Sequence, residues 1–465
     1  MSQNSVIVES VNLKDAAALI LAAGKGTRMK SSQPKVLHLI LGKTLIERVV
    51  ETVEQLELDR TAVIVGGLDD GVRDRLGSRV EYAVQEKRLG TGHAVLQAKR
   101  AFDGYKGKLL VLYGDAPFLS ADTLRRLVDH HVASAASGTI LTTCPADAMA
   151  RGRVLRDEQG HVTRVVEERD ASEQQKGVVE INVGTYCFNP KDLFDALERL
   201  KPDNDQGEYY LTDIIEVLVK DGKRVESLRT DDPEETIGIN SRSDLAAAIS
   251  LCRDRNVARL MEDGVTVIDP YTCWIADDVR IGSDSIVYPG TWIEGNTMIG
   301  ERSVIGPHSV IVDCAIGDDT NITMSHCVGA VIGSKVNVGP FARIRPETRI
   351  GDRARIGNFV ELKNANVGAS TSVAHLAYLG DALVGSGVNI GAGTGTANYD
   401  GVRKNRTTID DGARIGCNTV LVAPVTIGKD AVTGAGSVVT RNNDVPPGQT
   451  VVGVPAKPLR NTKRK

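Results

Sequence analysis

The fold is decided by IGSDSIVYPGTWIEGNTMIGERSVIGPHSVI, residues 281–311, in which Ile281, Val287, Ile293, Ile299, Ile305 and Ile311 recur at every sixth position. A helix wants apolar residues at i, i+3, i+4 and i+7, and a half-buried strand wants alternation; a sustained period of six belongs to neither and marks a repeat architecture. Outward from this stretch the ladder continues with slips: Ile316, Ile322 and Val328; Ile332 through Leu362; Val367, Val373 and Leu379; then Ile415, Leu421, Ile427, Thr433 and Val439. Glycine follows the aliphatic repeatedly, as at Gly282, Gly300, Gly317 and Gly351, which suits a corner where a Cβ would hinder the backbone. Three hexads close a triangular coil of ~18 residues, so the second half holds on the order of ten coils around a continuous aliphatic stack.

Upstream of the ladder, Leu245, Ile249, Cys252, Asn256, Val257 and Leu260 fall at helical spacing and Gly264 ends the run. This predicts a linker helix over 241–263, between a domain at 1–240 and a repeat domain at 264–465. A chain of 465 residues holds more than one domain at roughly 100–200 residues each. In the first half, apolar runs at 16–23, 62–67, 108–115 and 181–188 alternate with helical patterns. That alternation predicts an α/β, Rossmann-like and mostly parallel sheet with its site at the C-terminal strand ends.

The first run opens into AGKGTR, a glycine-broken basic loop. Two nucleotide motifs fail here: the third glycine of GxGxxG would fall on Met29, and Gly42-Lys43-Thr44 has Leu37 where a P-loop needs its first glycine. Lys25, Arg28 and Lys35 follow this strand and Asp115 ends another. Three cations and a carboxylate around one crevice suit a nucleoside triphosphate and its metal.

A net charge of −4 and a pI near 6.1 give no reason to expect nucleic acid or an anionic membrane as a partner. Met1 to Asp15 lacks the basic-then-apolar plan of a secretory signal. The seven cysteines are scattered without a CxxC pair, as expected of free thiols in a reducing cytoplasm.

LAAGKGTRM (21–29), PKVLH (34–38), QEKRLGTGHA (85–94), YGDAP (113–117), GRV (152–154), EINVGTYCF (180–188) and QGEYYLTDI (206–214) resemble the sugar-1-phosphate nucleotidyltransferases. With a hexapeptide half carrying FARIRP, FVELK, AHLAYLGD, NIGAG and NYDG between Phe341 and Gly401, the chain resembles the bacterial bifunctional N-acetylglucosamine-1-phosphate uridylyltransferases/glucosamine-1-phosphate N-acetyltransferases. The resemblance implies a C-terminal left-handed parallel β-helix of hexapeptide repeats, a homotrimer, a cytoplasmic enzyme and a role in cell-envelope precursor supply. It implies UTP, N-acetylglucosamine 1-phosphate, glucosamine 1-phosphate and acetyl-CoA as substrates, with Mg2+.

Residue by residue, it implies that Ala22, Gly24, Gln85, Gly90 and Thr91 hold the uridine, that Arg28 and Lys35 neutralise phosphate, and that Asp115 and Asn240 bind Mg2+. Gly152, Glu167, Asn182 and Asn240 would face the acetylated sugar phosphate. In the second half His375 would be the base, since an ammonium cannot attack a thioester and imidazole titrates near neutrality. Arg345, Lys363, Tyr378 and Asn389 would hold the acceptor sugar phosphate, and Ala392, Asn398, Tyr399, Cys417 and Ala435 would meet acetyl-CoA. Two departures bear on the last group: Cys417 stands where many members have Ser, and Gly453 where many have Arg. The hexad period alone fits a scaffold as well as a catalyst. Two other readings are a one-activity nucleotidyltransferase that uses its β-helix for assembly, and a non-catalytic binder of sugar nucleotides.

Overall fold

The computed structural model describes residues 12–67, 71–145 and 151–459, which leaves most of the acidic N-terminus and the last basic residues of the tail outside. The chain divides into two compact units, Met1–Ala248 and Ile249–Lys465.

In the first unit the strand Ala16–Leu21 is buried on both sides. Ala17, Leu19 and Leu21 face one hydrophobic cluster; Ala16, Ala18 and Ile20 face the other. That is why its sequence reads as a continuous apolar run rather than an alternating one. It pairs in parallel with Arg60–Val65 and Lys108–Tyr113. The main sheet runs in the order Val225–Arg229, Gly138–Thr143, Ile181–Phe188, Lys108–Tyr113, Ala16–Leu21, Arg60–Val65, Glu81–Val84. Ile181–Phe188 lies antiparallel to both neighbours; every other pairing along this order is parallel. Leu21 stands level with Ile64 and Tyr113, so Ala22 and Gly114 leave the sheet side by side and Gly66 leaves it one residue further on. The rejected Gly42-Lys43-Thr44 has a structural job: Thr44 caps the helix Leu45–Glu54 through a capping box with Glu47.

In the second unit the hexads form three sheets of parallel strands, one of them ended by the antiparallel strand Lys457–Pro458, in the prism expected of a left-handed β-helix. One face stacks Val287, Ile305, Ile322, Val338, Ile356, Val373, Ile390 and Ile415 in register. The expected core residue Val328 is replaced by Cys327, which is fully buried while Val328 is half-exposed. The spacing shortens from six to five at Ile322–Cys327 and Cys327–Ile332, and a strict six-residue count from Ile322 oversteps by one. The glycines after the aliphatics act between coils: a Cβ on Gly282, Gly317 or Gly351 would sit 2.5–2.7 Å from an atom of the next coil, in Gly282 and Gly351 a backbone nitrogen. Left-handed backbone at other corners falls on Asp284, Arg302, Asp319, Lys335 and Arg353.

The helix spans Arg242–Glu262. Within the second unit, its Asn256 donates to Asp277 Oδ1 (2.7 Å) and to the Ile275 carbonyl (2.9 Å). Arg253 lies over Trp274, which stacks on Trp292 of the next coil. These contacts close the open end of the stack, where an aliphatic column would otherwise meet water. Among the described residues no helix is long and apolar enough to cross a membrane.

Candidate active sites

The first site grows from the loop after Ala16–Leu21. Gly26 takes a left-handed conformation (φ 59°) with its Cα facing the Lys35 stem. Lys35 bonds Asp115 and donates to Asn240 Oδ1 at 2.9 Å, and Arg28 donates to the same oxygen at 3.0 Å. Asn240 is held in turn by its own N–H, which donates to Asp244 (2.9 Å), and by the Ile239 N–H, which donates to the Asp115 carbonyl. Thus Arg28, Lys35, Asp115 and Asn240, spread over more than two hundred residues of sequence, meet at one point.

On one side of that point lies a cleft of about 550 Å³ lined by Ala22, Gly24, Lys35, Gln85, Gly90 and Thr91. Buried Gln85 donates to the Gly90 carbonyl (3.0 Å). Gly90 must lack a side chain: its φ is 111° and a Cβ would meet the Tyr209 backbone at 2.5 Å. On the other side a cleft of about 650 Å³ is lined by Gly152, Glu167, Asn182 and Asn240. Burial raises the Glu167 carboxyl above its ordinary range, opposed by the hydroxyl of Thr212, which donates to it (3.1 Å). Burial, then the Glu167 charge, pushes neighbouring Asp213 up to about 6. Asn182 donates to Tyr186 (2.7 Å) and accepts from the Gly184 N–H (3.1 Å), which fixes its carboxamide.

Sequence reading missed two cations here. Arg88 donates to the Ala23 carbonyl (2.7 Å) over the glycine loop, and Arg151 lines the wider cleft beside Arg28. Both stood inside quoted or adjacent motifs, QEKRLGTGHA and RGRV, but a lone Arg in a loop carries no signal by itself.

Asp115 and Asn240 offer a carboxylate and a carboxamide oxygen, hard donors of the kind Mg2+ takes. Both already lie on one cation, the Lys35 ammonium, so their oxygens converge as a metal pair requires.

The second site lies on two adjoining parts of the prism. His375 ends the strand Ser372–His375, and its Nδ1 lies 2.7 Å from Asn358 Oδ1 on the coil below. Ala392, Cys417 and Ala435 occupy the same position on the following coils, two residues past the core residues Ile390, Ile415 and Thr433, so all four form one column up a corner. Cys417 is exposed at that corner. Gly453, two residues past Val451, tops the column, so an Arg there would overhang it.

On the next face, Arg345 donates to Glu361 (3.0 Å), and Glu361 and Tyr378 share a register position. The ammonium of Lys404, then partial burial, depress the basicity of Lys363. Asn398 bonds Asp381, which also accepts from Asn364 at 2.8 Å. The NYDG motif is a loop inserted between the core residues Thr396 and Ile409. Asp400 ties it, accepting from the N–H groups of Arg403 (2.8 Å) and Val402 (3.0 Å), the Asn405 amide (2.9 Å) and Arg441 (3.2 Å). Those bonds hold its carboxyl well below the usual range. Tyr399 is exposed and bridges to Lys404. Asn389 lies on the face of His375, paired with Ser372, and makes no side-chain hydrogen bond among the described residues.

Comparison with known proteins separates the two halves in the same way. Residues 18–220 match the MobA-like NTP transferase domain, and residues 329–364 and 406–441 match the bacterial transferase hexapeptide repeat. Over 429 residues the chain is 49% identical to the bifunctional protein GlmU of Geobacillus sp. (strain WCH70), covering 92% of this chain and 93% of that one. The chain belongs to the bifunctional GlmU family. The GlmU of Geobacillus thermodenitrificans is 48% identical over 436 residues, 94% of this chain and 95% of its own, and that of Brevibacillus brevis 46% over 429 residues, covering 92% and 93%. The match runs through both units, so the GlmU likeness covers the nucleotide-type cleft and the hexapeptide prism together.

Proposed function

We propose that this GlmU relative makes UDP-N-acetylglucosamine in two transfers. The second unit acetylates glucosamine 1-phosphate from acetyl-CoA; the first joins the product to UMP from UTP and releases pyrophosphate. The working boundaries are 1–240 for uridylyl transfer, 241–263 for the helix and 264–465 for acetyl transfer, in a cytoplasmic homotrimer.

In the first reaction a phosphate oxygen of N-acetylglucosamine 1-phosphate attacks the α-phosphorus of UTP in line, and the bond to the β-phosphate oxygen breaks. No side-chain nucleophile is needed. Ala22, Gly24, Gln85, Gly90 and Thr91 hold the uridine; Gly152, Glu167, Asn182 and Asn240 orient the sugar. Arg28 and Lys35 are aimed where charge builds on the phosphates, which lowers the barrier because the donors are fixed beforehand. Mg2+ held by Asp115 and Asn240 would supply further charge neutralisation on the phosphate oxygens. The observation that carries this reading is the meeting of Arg28, Lys35, Asp115 and Asn240 between two clefts.

In the second reaction His375 takes a proton from the sugar amine as nitrogen attacks the thioester carbon. Arg345 and Lys363 hold the phosphate, Tyr378 and Asn389 the sugar, and the Ala392 N–H the developing oxyanion. Asn398, Tyr399, Cys417 and Ala435 meet acetyl-CoA, and coenzyme A leaves as the C–S bond breaks. Support comes from the column His375, Ala392, Cys417 and Ala435 and the adjoining basic face.

The test is a mass-spectrometric product assay with glucosamine 1-phosphate, acetyl-CoA, UTP and Mg2+, omitting each in turn. UDP-N-acetylglucosamine should form only in the complete mixture, and N-acetylglucosamine 1-phosphate should accumulate when UTP is omitted. Failure to release pyrophosphate from UTP and N-acetylglucosamine 1-phosphate would overturn the first assignment; failure to release thiol from acetyl-CoA would overturn the second.

A further inference from the structure

A histidine that serves as a base must keep one ring nitrogen bare and aim it at the substrate, and in an exposed histidine nothing internal decides which. Here the choice is made by the coil below. His375 Nδ1 lies 2.7 Å from Asn358 Oδ1, across the register pair Asn358–His375. The Asn358 backbone is fixed too: its carbonyl accepts from the Leu376 N–H (3.0 Å), one residue past the histidine. The next residue, Phe359, stacks on Phe341 at 5.4 Å with the rings 10° from parallel, which anchors this corner on the preceding coil.

Among the described residues the His375 ring has no other hydrogen bond and no ion pair. The strands packed against Ser372–His375 are Arg355–Asn358 and Asn389–Ile390. Their one charged side chain is Arg355, and it shares its register position with Ser372, not with the ring.

A carboxamide oxygen can only accept, so the nitrogen facing it must carry the hydrogen and the lone pair is left on Nε2. We propose that Asn358 is the positioning residue of the acetyl-transfer site, fixing His375 in the Nδ1–H tautomer. This rests on the reading of His375 as the base. In the step it serves, Nε2 takes a proton from the amine as the N–C bond forms and the carbonyl π pair moves to oxygen. When the intermediate collapses, the C–S bond breaks and the imidazolium returns the proton to the departing thiolate. Throughout, Nδ1–H donates to Asn358, and the bond strengthens while the ring is charged. Because the partner is neutral, it orients the ring without holding a proton on Nε2, as a carboxylate would tend to do.

The experiment measures thiol release from acetyl-CoA with glucosamine 1-phosphate across pH in the full-length protein and in Asn358→Leu, Asn358→Asp and His375→Gln. Pyrophosphate release and the thermal transitions are measured on the same samples. Asn358→Leu should lower kcat about 10- to 100-fold with both KM values within about threefold, a partial loss of the roughly 10²- to 10⁴-fold that a general base contributes, because the ring remains but is no longer fixed. Asn358→Asp should restore most of kcat and move the acid limb of its pH profile up by about one unit, because a carboxylate beside Nδ1–H favours the imidazolium. Pyrophosphate release should not change. An Asn358→Leu enzyme within twofold of the parent, or an Asn358→Asp acid limb that stays in place, would overturn the positioning role. If His375→Gln retains full activity, the base reading itself fails; if it is inactive while the Asn358 variants behave as the parent, only the tautomer assignment fails.

Discussion

Gly26→Ala should separate the two activities with a single methyl group. Gly26 has φ 59° and ψ 43°, a conformation that costs a non-glycine residue roughly 1–2 kcal/mol. A Cβ there would lie 2.6 Å from Lys35 Cβ and 3.5 Å from Lys35 Cα and Cγ. Since carbon atoms in contact rest at about 3.5–4.0 Å, the Lys35 stem must retreat by about 1 Å. The Lys35 ammonium now bonds Asp115 and Asn240, the latter at 2.9 Å, and a 1 Å retreat breaks that geometry. A displacement of ~1 Å at a positioning group costs about 10²-fold in rate, or ~2.7 kcal/mol of transition-state stabilisation. The assay is paired: pyrophosphate release reads the first unit and thiol release reads the second, in one preparation. We expect kcat/KM for uridylyl transfer to fall about 100-fold, acetyl transfer to stay within twofold, and the first unit to lose about 1–2 kcal/mol of stability. If uridylyl transfer stays within about threefold of the parent while the loop's stability is unchanged, the Gly26–Lys35 contact does not set the site.

Two further predictions concern stability. His131 is fully buried between Thr139 (2.8 Å) and Asn189, and burial pushes its imidazole down to about 4. The unfolded chain therefore binds the proton more tightly, so this stabilisation is complete above about pH 6.5 and is lost as pH falls toward about 4. Between about pH 7.5 and 5 the His131 contribution should fall by on the order of 2 kcal/mol, read as the difference between the parent and His131→Gln in denaturant titrations of the first unit, because Asp213, raised by burial, shifts stability the other way over the same range; a parent-minus-variant difference that does not change with pH would exclude His131 as its source. Gly351→Ala would place a Cβ 2.7 Å from the Ala369 nitrogen and should cost about 1–3 kcal/mol by forcing two coils apart. Gly395→Ala, with nothing within 4 Å, is the control and should be neutral or slightly stabilising; equal effects would refute coil spacing as the reason for glycine.

The sequence by itself determined the prism and the sheet. A period of six repeated over most of the second half, and apolar runs alternating with helical ones in the first, are sums over many positions, so single exceptions such as Cys327 do not hide them. Motifs such as NYDG were also legible as motifs, although the reason for the Asp, four hydrogen bonds tying an inserted loop through Asp400, was not. Only the tertiary structure decided which side chains meet. Lys35 and Asn240 come together because the strands that precede Lys35 and Asp115 end side by side and the Ile239 N–H ties the Asn240 segment to the Asp115 carbonyl. His375 meets Asn358 because a coil of seventeen residues, not eighteen, separates them. Periodicity records which residues turn inward, which is a local property of the chain; the register between coils and strands is set by packing, and that register chooses the partner of each outward-facing group.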